Sequence, residues 1–178
     1  MNGAIFPGLD NRVFRKHGVF RMNKQSASGL AASDAVPIES FSHEFERPQD
    51  APHVFGQDFV YEPADNGFPT VKVMVTYPRM NTVSANSLHQ ALRDDPQWKA
   101  DITFSGAFIN STDQYSEKYQ YPALELDEWS APLTSAQQVK PSATFSAKLA
   151  ASSPTGMAFV NPFRLTRIMV NSLGAFSV

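Results

Sequence analysis

Histidine side chains are the first groups in this sequence that could carry out acid–base or metal chemistry. The four histidines are His17, His43, His53 and His89. None of them belongs to an HExxH motif or to another close pair of ligands. Strand alternation within the segment SHEFE would place His43 on the face opposite to Glu44 and Glu46. A metal ion needs several ligands that converge on one point, so we interpret SHEFE as a charged segment that faces solvent.

A hydrolase would need a nucleophile beside a base, and the sequence offers little of either. His89 and Asp94 share a predicted helix, but no GxSxG elbow is present. The nucleotide-binding patterns GxxxxGK[ST] and GxGxxG are absent as well. The chain has no cysteine, which excludes thiolate nucleophiles, cysteine-type zinc sites and iron–sulfur clusters. We therefore predict a protein that is not an enzyme and that holds no cofactor or metal.

Residues 111–129 (STDQYSEKYQYPALELDEW) combine carboxylates with aromatic rings. The carboxylates could attract Ca²⁺, but their spacing does not match the EF-hand ladder. A glycosidase would need a larger scaffold to hold its two carboxylates. We predict a long loop here, with room for a strand around residues 119–126. Its candidate ligand- or partner-binding residues are Tyr115, Tyr119, Tyr121 and Trp129.

Charge is segregated near the N-terminus, although the net charge of the whole chain is only -2. Residues 10–24 contain five basic residues and one acidic residue, whereas residues 31–66 contain one basic and eight acidic residues. Five positive charges give a weak attraction to nucleic acid, so docking on protein is the better interpretation of the basic strip. The predicted subunit-interface residues are Phe6, Arg12, Phe14, Arg15, Lys16, Phe20 and Arg21.

Residues 1–52 carry no sustained hydrophobic period and are predicted to form an extended N-terminal arm. Residues 25–35 (QSASGLAASDA) have the composition of a flexible joint, and residues 36–52 form an acidic lead-in. The segment has too many phenylalanines for a purely disordered tail. Its aromatic rings could be buried on a neighbouring subunit or on the arm's own domain, and the sequence leaves both alternatives open.

Residues 53–178 are predicted to form a single β-rich domain. Residues 54–62 alternate, Asn66-Gly67 suits a hairpin turn, and residues 70–77 place valines on one face. A helix is predicted over residues 84–95, ended by Pro96. Further strands are predicted over residues 99–109 and 142–149, with a final pair over residues 157–160 and 163–170. The predicted fold class is α+β: mainly antiparallel β, as a sandwich or barrel-like sheet, with one short helix and the long N-terminal arm.

The composition of the chain favours an assembly component. Charged residues make up only 18% of the chain, and surfaces poor in charge are common where partners cover them. No apolar run reaches the roughly 18 residues of a membrane span, and no signal-peptide pattern is present. We expect a soluble protein that is made in the host cytoplasm.

We predict a structural assembly protein, specifically a virion component: a capsid, decoration or tail/neck protein of a bacteriophage. The predicted arm ties neighbouring subunits together. Its partners would be copies of itself and other proteins of the assembly, without a membrane and without direct nucleic-acid binding. The alternative is a carbohydrate- or receptor-binding module that uses residues 111–129. A small hydrolase that uses His89 or His43 has the least support.

Overall fold

The computed structural model describes residues 18–50, 56, 64–65, 67, 69–78, 90–94, 97–108, 114–131 and 139–168. Within these residues the chain forms nine strands: β1 (Gly18–Lys24), β2 (Ser40–Glu46), β3 (Gln49–Asp50), β4 (Ala64–Asp65), β5 (Thr70–Thr76), β6 (Trp98–Phe108), β7 (Gln114–Ser130), β8 (Ser142–Ala147) and β9 (Arg164–Ile168). A 3₁₀ helix covers Ala32–Asp34, and residues 90–94 are helical. These strands pair antiparallel, which confirms the predicted α+β class, mainly antiparallel β with one short helix.

The strands β5 and β8 follow directly from their alternating sequences. In β5 the branched side chains of Val71, Val73 and Val75 are buried, while Lys72 and Met74 between them are exposed. In β8 the buried positions are Ala143, Phe145 and Ala147. Successive side chains of a strand point to opposite faces, so both segments bury one face. The predicted strands over residues 70–77 and 142–149 are confirmed, although β8 ends at Ala147.

The chain divides into two compact units. The first unit combines residues 1–37, 98–123 and 150–178. In it β1 pairs with β6, β6 lies beside β7, and β9 pairs with the first half of β7. Its buried apolar residues are Phe20, Met22, Trp98, Ala100, Ile102, Tyr121, Ala123, Ala150 and Met157.

The second unit combines residues 38–97 and 124–149. Here the second half of β7 pairs with β8, β8 with β5, and β5 with β2. The buried face of this sheet holds the valines of β5, Phe145 of β8 and Leu124 of β7. Leu92, in the described part of the predicted helix, is also buried.

The region predicted as an arm differs from its prediction over residues 18–50. Residues 18–24 form β1, where Phe20 is 2% exposed, and residues 40–46 form β2. The predicted flexible joint is a turn followed by the 3₁₀ helix, and the Val36 amide donates to the Phe20 carbonyl at 2.9 Å. The partner of β1 is β6, some 80 residues later in the chain, so no local period reveals this strand. Residues 1–17 of the predicted arm lie outside the described residues.

Residues 114–130 form one continuous strand instead of the predicted long loop. β7 pairs with β9 through its first half and with β8 through its second half, with a bulge between Leu126 and Glu128. Residues 157–160 do not form the first strand of the predicted final pair, because they belong to a loop that the Ala150 amide closes by donating to the Val160 carbonyl at 2.9 Å. The predicted strand over residues 54–62 lies outside the described residues.

Candidate assembly surfaces

Some of the predicted interface residues lie within residues 18–50 of the predicted arm, which the structure describes, and the others do not. Phe6, Arg12, Phe14, Arg15 and Lys16 lie outside the described residues. Phe20 and Arg21 lie in β1, where both contact other residues of the same chain, and an interface role for them stays a prediction. Phe20 is buried in the first unit. The Arg21 guanidinium donates to both carboxylate oxygens of Asp101 on β6, from Nε at 2.8 Å and from Nη2 at 2.6 Å.

Asp101 is the centre of a buried ionic cluster. The residue is 1% exposed, and Lys118 Nζ lies 3.2 Å from its Oδ2 atom. The hydrogen bond to Asp101 raises the pKa of Arg21 above its ordinary value. A buried carboxylate is tolerated only when its partners replace the lost hydration. Two cations and a bidentate geometry supply that replacement here, and they fix β1 and β7 against β6.

Lys99, two residues before Asp101, is the second buried charge of β6. Its ammonium donates to the carbonyl oxygens of Ala27 at 2.6 Å, Thr155 at 3.3 Å and Gln25 at 3.4 Å. Burial lowers the pKa of Lys99 below its ordinary value, while the charge of Asp34 opposes that change. The ammonium therefore ties the turn after β1 and the loop before β9 to the same strand.

A small cavity of about 90 Å³ lies beside this cluster and is lined by Arg21, Asp101, Lys118, Thr155 and Met157, among others. Gly29 and Gly156 cross at its wall, where a Cβ atom on Gly156 would lie 3.1 Å from the Gly29 Cα atom. Its charged groups are bound to one another. In the part of the chain that the structure describes, no group of three or more His, Asp or Glu residues could hold a metal ion.

The four aromatic residues of the predicted ligand loop do not share one exposed surface. Tyr121 is fully buried in the core. The half-buried Tyr119 donates its hydroxyl to Glu117 Oε1 at 2.5 Å, and Arg167 donates to the same oxygen at 3.1 Å. In the second unit, the ring of Trp129 stacks on Tyr77 with centroids 5.6 Å apart.

These contacts give Tyr119, Tyr121 and Trp129 structural roles within their own units. A ligand role for Tyr115, which is half-buried on β7, and for Tyr119 and Trp129 stays a prediction.

Strands β2 and β9 expose side chains that the sequence analysis did not identify as a pair of oppositely charged segments. Among the described residues, β2 pairs with β5 and β9 pairs with β7. Phe45 of β2 is 51% exposed and Leu165 of β9 is 39% exposed. β2 exposes Glu44 and Glu46, whereas β9 exposes two arginines, Arg164 and Arg167. The segments SHEFE and RLTRI show this difference in charge in the sequence itself.

The helical residues that the structure describes include no segment that is both long and apolar enough to cross a membrane.

No protein-family model matches the sequence, and no curated protein matches it. Similarity is found among solved structures. One is a chain from the tail of an empty GTA particle, computed with helical refinement and C6 symmetry, with a TM-score of 0.52 at 6% identity over 77% of this chain and 95% of that chain. Another is a chain from the PVC sheath-tube complex, in the extended state, of an extracellular contractile injection system, with a TM-score of 0.53 at 10% identity over 91% of this chain and 95% of that chain. The chain shares its fold with these two proteins.

Proposed function

We propose that this chain is a structural subunit of a tail or injection tube, which assembles with copies of itself in a virion or a related particle. The observation that carries the proposal is the extent of the shared fold. The matched region includes 95% of the GTA tail chain and 95% of the sheath-tube chain. A shared fold alone does not determine function. The proposal therefore also depends on the contacts that the charged and apolar residues of this chain make.

The contacts of the charged residues support a structural role and not a catalytic one. Asp101, Lys99 and Arg21 are held by groups of their own unit, and Glu117 is held by Tyr119 and Arg167. A catalytic acid or base has to reach a substrate, and these groups instead connect strands and loops. We propose that the protein is not an enzyme and works by binding other subunits.

The exposed apolar side chains support binding to other subunits. Apolar side chains that are exposed in a single chain can be buried where subunits meet, since interfaces between like subunits are rich in apolar area. Phe45 on β2, Leu165 and Ile168 on β9, and Phe108 at the end of β6 are all exposed. The proposed partners are copies of the same chain and other proteins of the particle, and the proposed location is the virion, after synthesis in the host cytoplasm.

Residues 1–17 are proposed to tie neighbouring subunits together. The segment contains Phe6 and Phe14 together with Arg12, Arg15 and Lys16. Its docking site would be acidic, and the exposed residues Glu44 and Glu46 of β2 supply such charge.

The test compares full-length protein with a variant that lacks residues 1–17. The deletion stops there because residue 18 begins β1, whose loss would unfold the first unit. Full-length protein should form rings or tubes in negative-stain electron micrographs, with sixfold rings if its assembly resembles the C6 tail. The deletion variant should stay folded by circular dichroism and should assemble at least tenfold more weakly in light scattering.

Two matched variants separate the contributions of charge and aromatic rings. One replaces Arg12, Arg15 and Lys16 by Gln, and the other replaces Phe6 and Phe14 by Ser. A full-length protein that stays monomeric at every concentration would contradict the tube proposal. Normal assembly of the deletion variant would contradict only the role of residues 1–17.

A further inference from the structure

The ion pairs around Asp101 leave hydrogen-bond donors beside the small cavity of the first unit. The Arg21 guanidinium has five N–H groups, and three of them make contacts: Nε and Nη2 with Asp101, and Nη1 with the Leu30 carbonyl at 3.5 Å. Among the described residues, the Lys118 ammonium has one partner, the Oδ2 atom of Asp101, although an ammonium can donate three hydrogen bonds. Arg21 and Lys118 both line the cavity, so two cations there can donate further hydrogen bonds.

Gln120 of β7 adds a neutral donor to the same wall. It is half-buried and lines the cavity. Within the part of the chain that the structure describes, its side-chain amide makes no hydrogen bond. Its partner across β9 is Arg164, and residues directly opposite on antiparallel strands have neighbouring side chains. A third cation therefore lies beside this amide.

The charges that line the cavity do not balance. Arg21 and Lys118 carry two positive charges against the single negative charge of Asp101, which leaves an excess of one positive charge. Both oxygen atoms of Asp101 already accept hydrogen bonds from Arg21. The side chains of Arg21 and Lys118 are 23% and 33% exposed, so an ion can reach them from solvent. One monovalent anion would balance the charge.

The size and the walls of the cavity suit a small ligand. Its volume of about 90 Å³ is that of roughly three water molecules in the liquid, which admits formate or nitrate and excludes a sugar or a nucleotide. One wall is formed by Gly29 and Gly156, which pass close to each other. The neighbouring Thr155 carbonyl accepts a hydrogen bond from the Lys99 ammonium at 3.3 Å. Contacts within the chain thus form this wall in advance, as in most small-ligand sites.

We propose that this cavity binds a small monovalent oxyanion, such as formate, through Arg21, Lys118 and Gln120. The remaining N–H groups of a guanidinium can bind two oxygen atoms of one oxyanion side by side, and the ammonium and the side-chain amide donate to the same ion. The bound anion connects β1 and β7 with the loops that contain Gly29 and Gly156. This site goes beyond the proposed tube function and does not depend on assembly.

Thermal unfolding of the full-length protein tests the site, with sodium formate replacing sodium gluconate at constant ionic strength. Gluconate has the same charge and the same carboxylate group, but the whole ion is too large for the cavity. A ligand that binds only the folded state raises the Tm. For a chain of this length, about 100 mM formate should raise the Tm by roughly 3 °C relative to gluconate.

Gln120→Glu places a negative charge in the cavity with almost no change in side-chain size. The variant should be more stable than the wild type in gluconate and should lose the response to formate. Arg164 lies opposite this position, so a gain in stability alone has a second explanation, and the lost response is the decisive measurement. The matched control is Gln49→Glu, the same change at an exposed position of β3, which should keep the full response.

The proton NMR signal of formate measures binding directly. A small ion that binds a protein tumbles slowly while bound, so its signal should broaden with the wild type and with Gln49→Glu, but not with Gln120→Glu. Equal responses of the wild type and Gln120→Glu in either measurement would overturn the site, and this includes the absence of a response in both. Protein that stays monomeric and shows both responses would contradict the tube proposal and support the anion site.

Discussion

Strands β6 and β5 show two ways in which this chain buries an antiparallel strand. β5 in the second unit buries one face, with valines inside and Lys72 and Met74 exposed. β6 in the first unit buries both faces over its first half, so that Lys99 and Asp101 are as inaccessible as Ala100 and Ile102. The second face of β6 is covered by the turn after β1 and the loop before β9, which Lys99 contacts.

The difference shows what stabilises each unit. The second unit depends on apolar area removed from water, and its outer face can vary. The first unit depends in addition on charges that must be paired, since a buried ion is costly when its partner is lost. Four substitutions test this comparison.

Phe145→Ala in the second unit should have the largest effect on stability. Its side chain is fully buried on β8, and truncation of a buried phenylalanine costs about 4 kcal/mol through lost transfer energy and the cavity left behind. Urea unfolding followed by circular dichroism measures the loss. Ser146→Ala, the next residue on the partly exposed outer face, is the control, and a comparable loss there would contradict the one-face description of this strand.

Asp101→Leu in the first unit should cost about 3 kcal/mol, because Arg21 and Lys118 lose their buried partner. Adding Arg21→Met to Asp101→Leu should recover part of the lost free energy of unfolding, because an apolar pair can replace a buried ion pair. The free energy of unfolding of the single and double variants decides this. If the double variant is less stable than Asp101→Leu alone, then Arg21 stabilises the protein by something other than its ion pair with Asp101.

Gly156→Ala should cost about 2 kcal/mol, for two reasons that a control separates. Gly156 has a φ of 87°, which strains any residue with a Cβ atom by about 1 kcal/mol. Its Cβ atom would also press on the Gly29 Cα atom. Gly56 has a nearly equal φ of 83° but no atom within 4 Å of a Cβ, so Gly56→Ala measures the strain alone. Equal losses at the two sites in thermal unfolding would show that the loop crossing is not tight.

Tyr77→Phe should have the smallest effect at neutral pH, within about 1 kcal/mol, because the buried Tyr77 hydroxyl has no hydrogen-bond partner among the described residues. The substitution should change the stability of the protein mainly at alkaline pH. Burial raises the pKa of Tyr77 and of Tyr121 well above the ordinary value. Their contribution to stability is therefore fully present below about pH 10, where unfolded tyrosine ionises, and is lost as the pH rises from there towards the folded pKa.

Urea unfolding at pH 9 and at pH 11 measures this contribution. Wild-type protein should lose more stability between the two values than the Tyr77→Phe variant. The lowered pKa of Lys99 acts in the opposite direction, since stability rises between its folded pKa and the ordinary value of about 10.5. Because Lys99 is present in both the wild type and the Tyr77→Phe variant, its contribution cancels when the two losses are compared. Equal losses would contradict a buried, protonated Tyr77.

The strands with a period of two were predictable because the pattern is local. Val71, Val73 and Val75 identify β5, and Ala143 and Phe145 identify β8, from spacing alone. The prediction of a loop over β7 was wrong because its mixture of polar and aromatic residues is also typical of loops. The segment is a strand because β8 and β9 pair with it. Lys99 and Asp101 were not identified as buried, since charged residues in a strand usually face solvent.

The sequence by itself determined the antiparallel β class, the two alternating strands of the second unit and the absence of cysteine chemistry. The tertiary structure decided that residues 18–24 are a core strand, that β7 is continuous, and that Lys99 and Asp101 of β6 are buried. The physical reason is the range of the interactions. Alternation is decided by neighbours two residues apart, whereas the burial of Phe20 and the pairing of Arg21 with Asp101 depend on a strand 80 residues away.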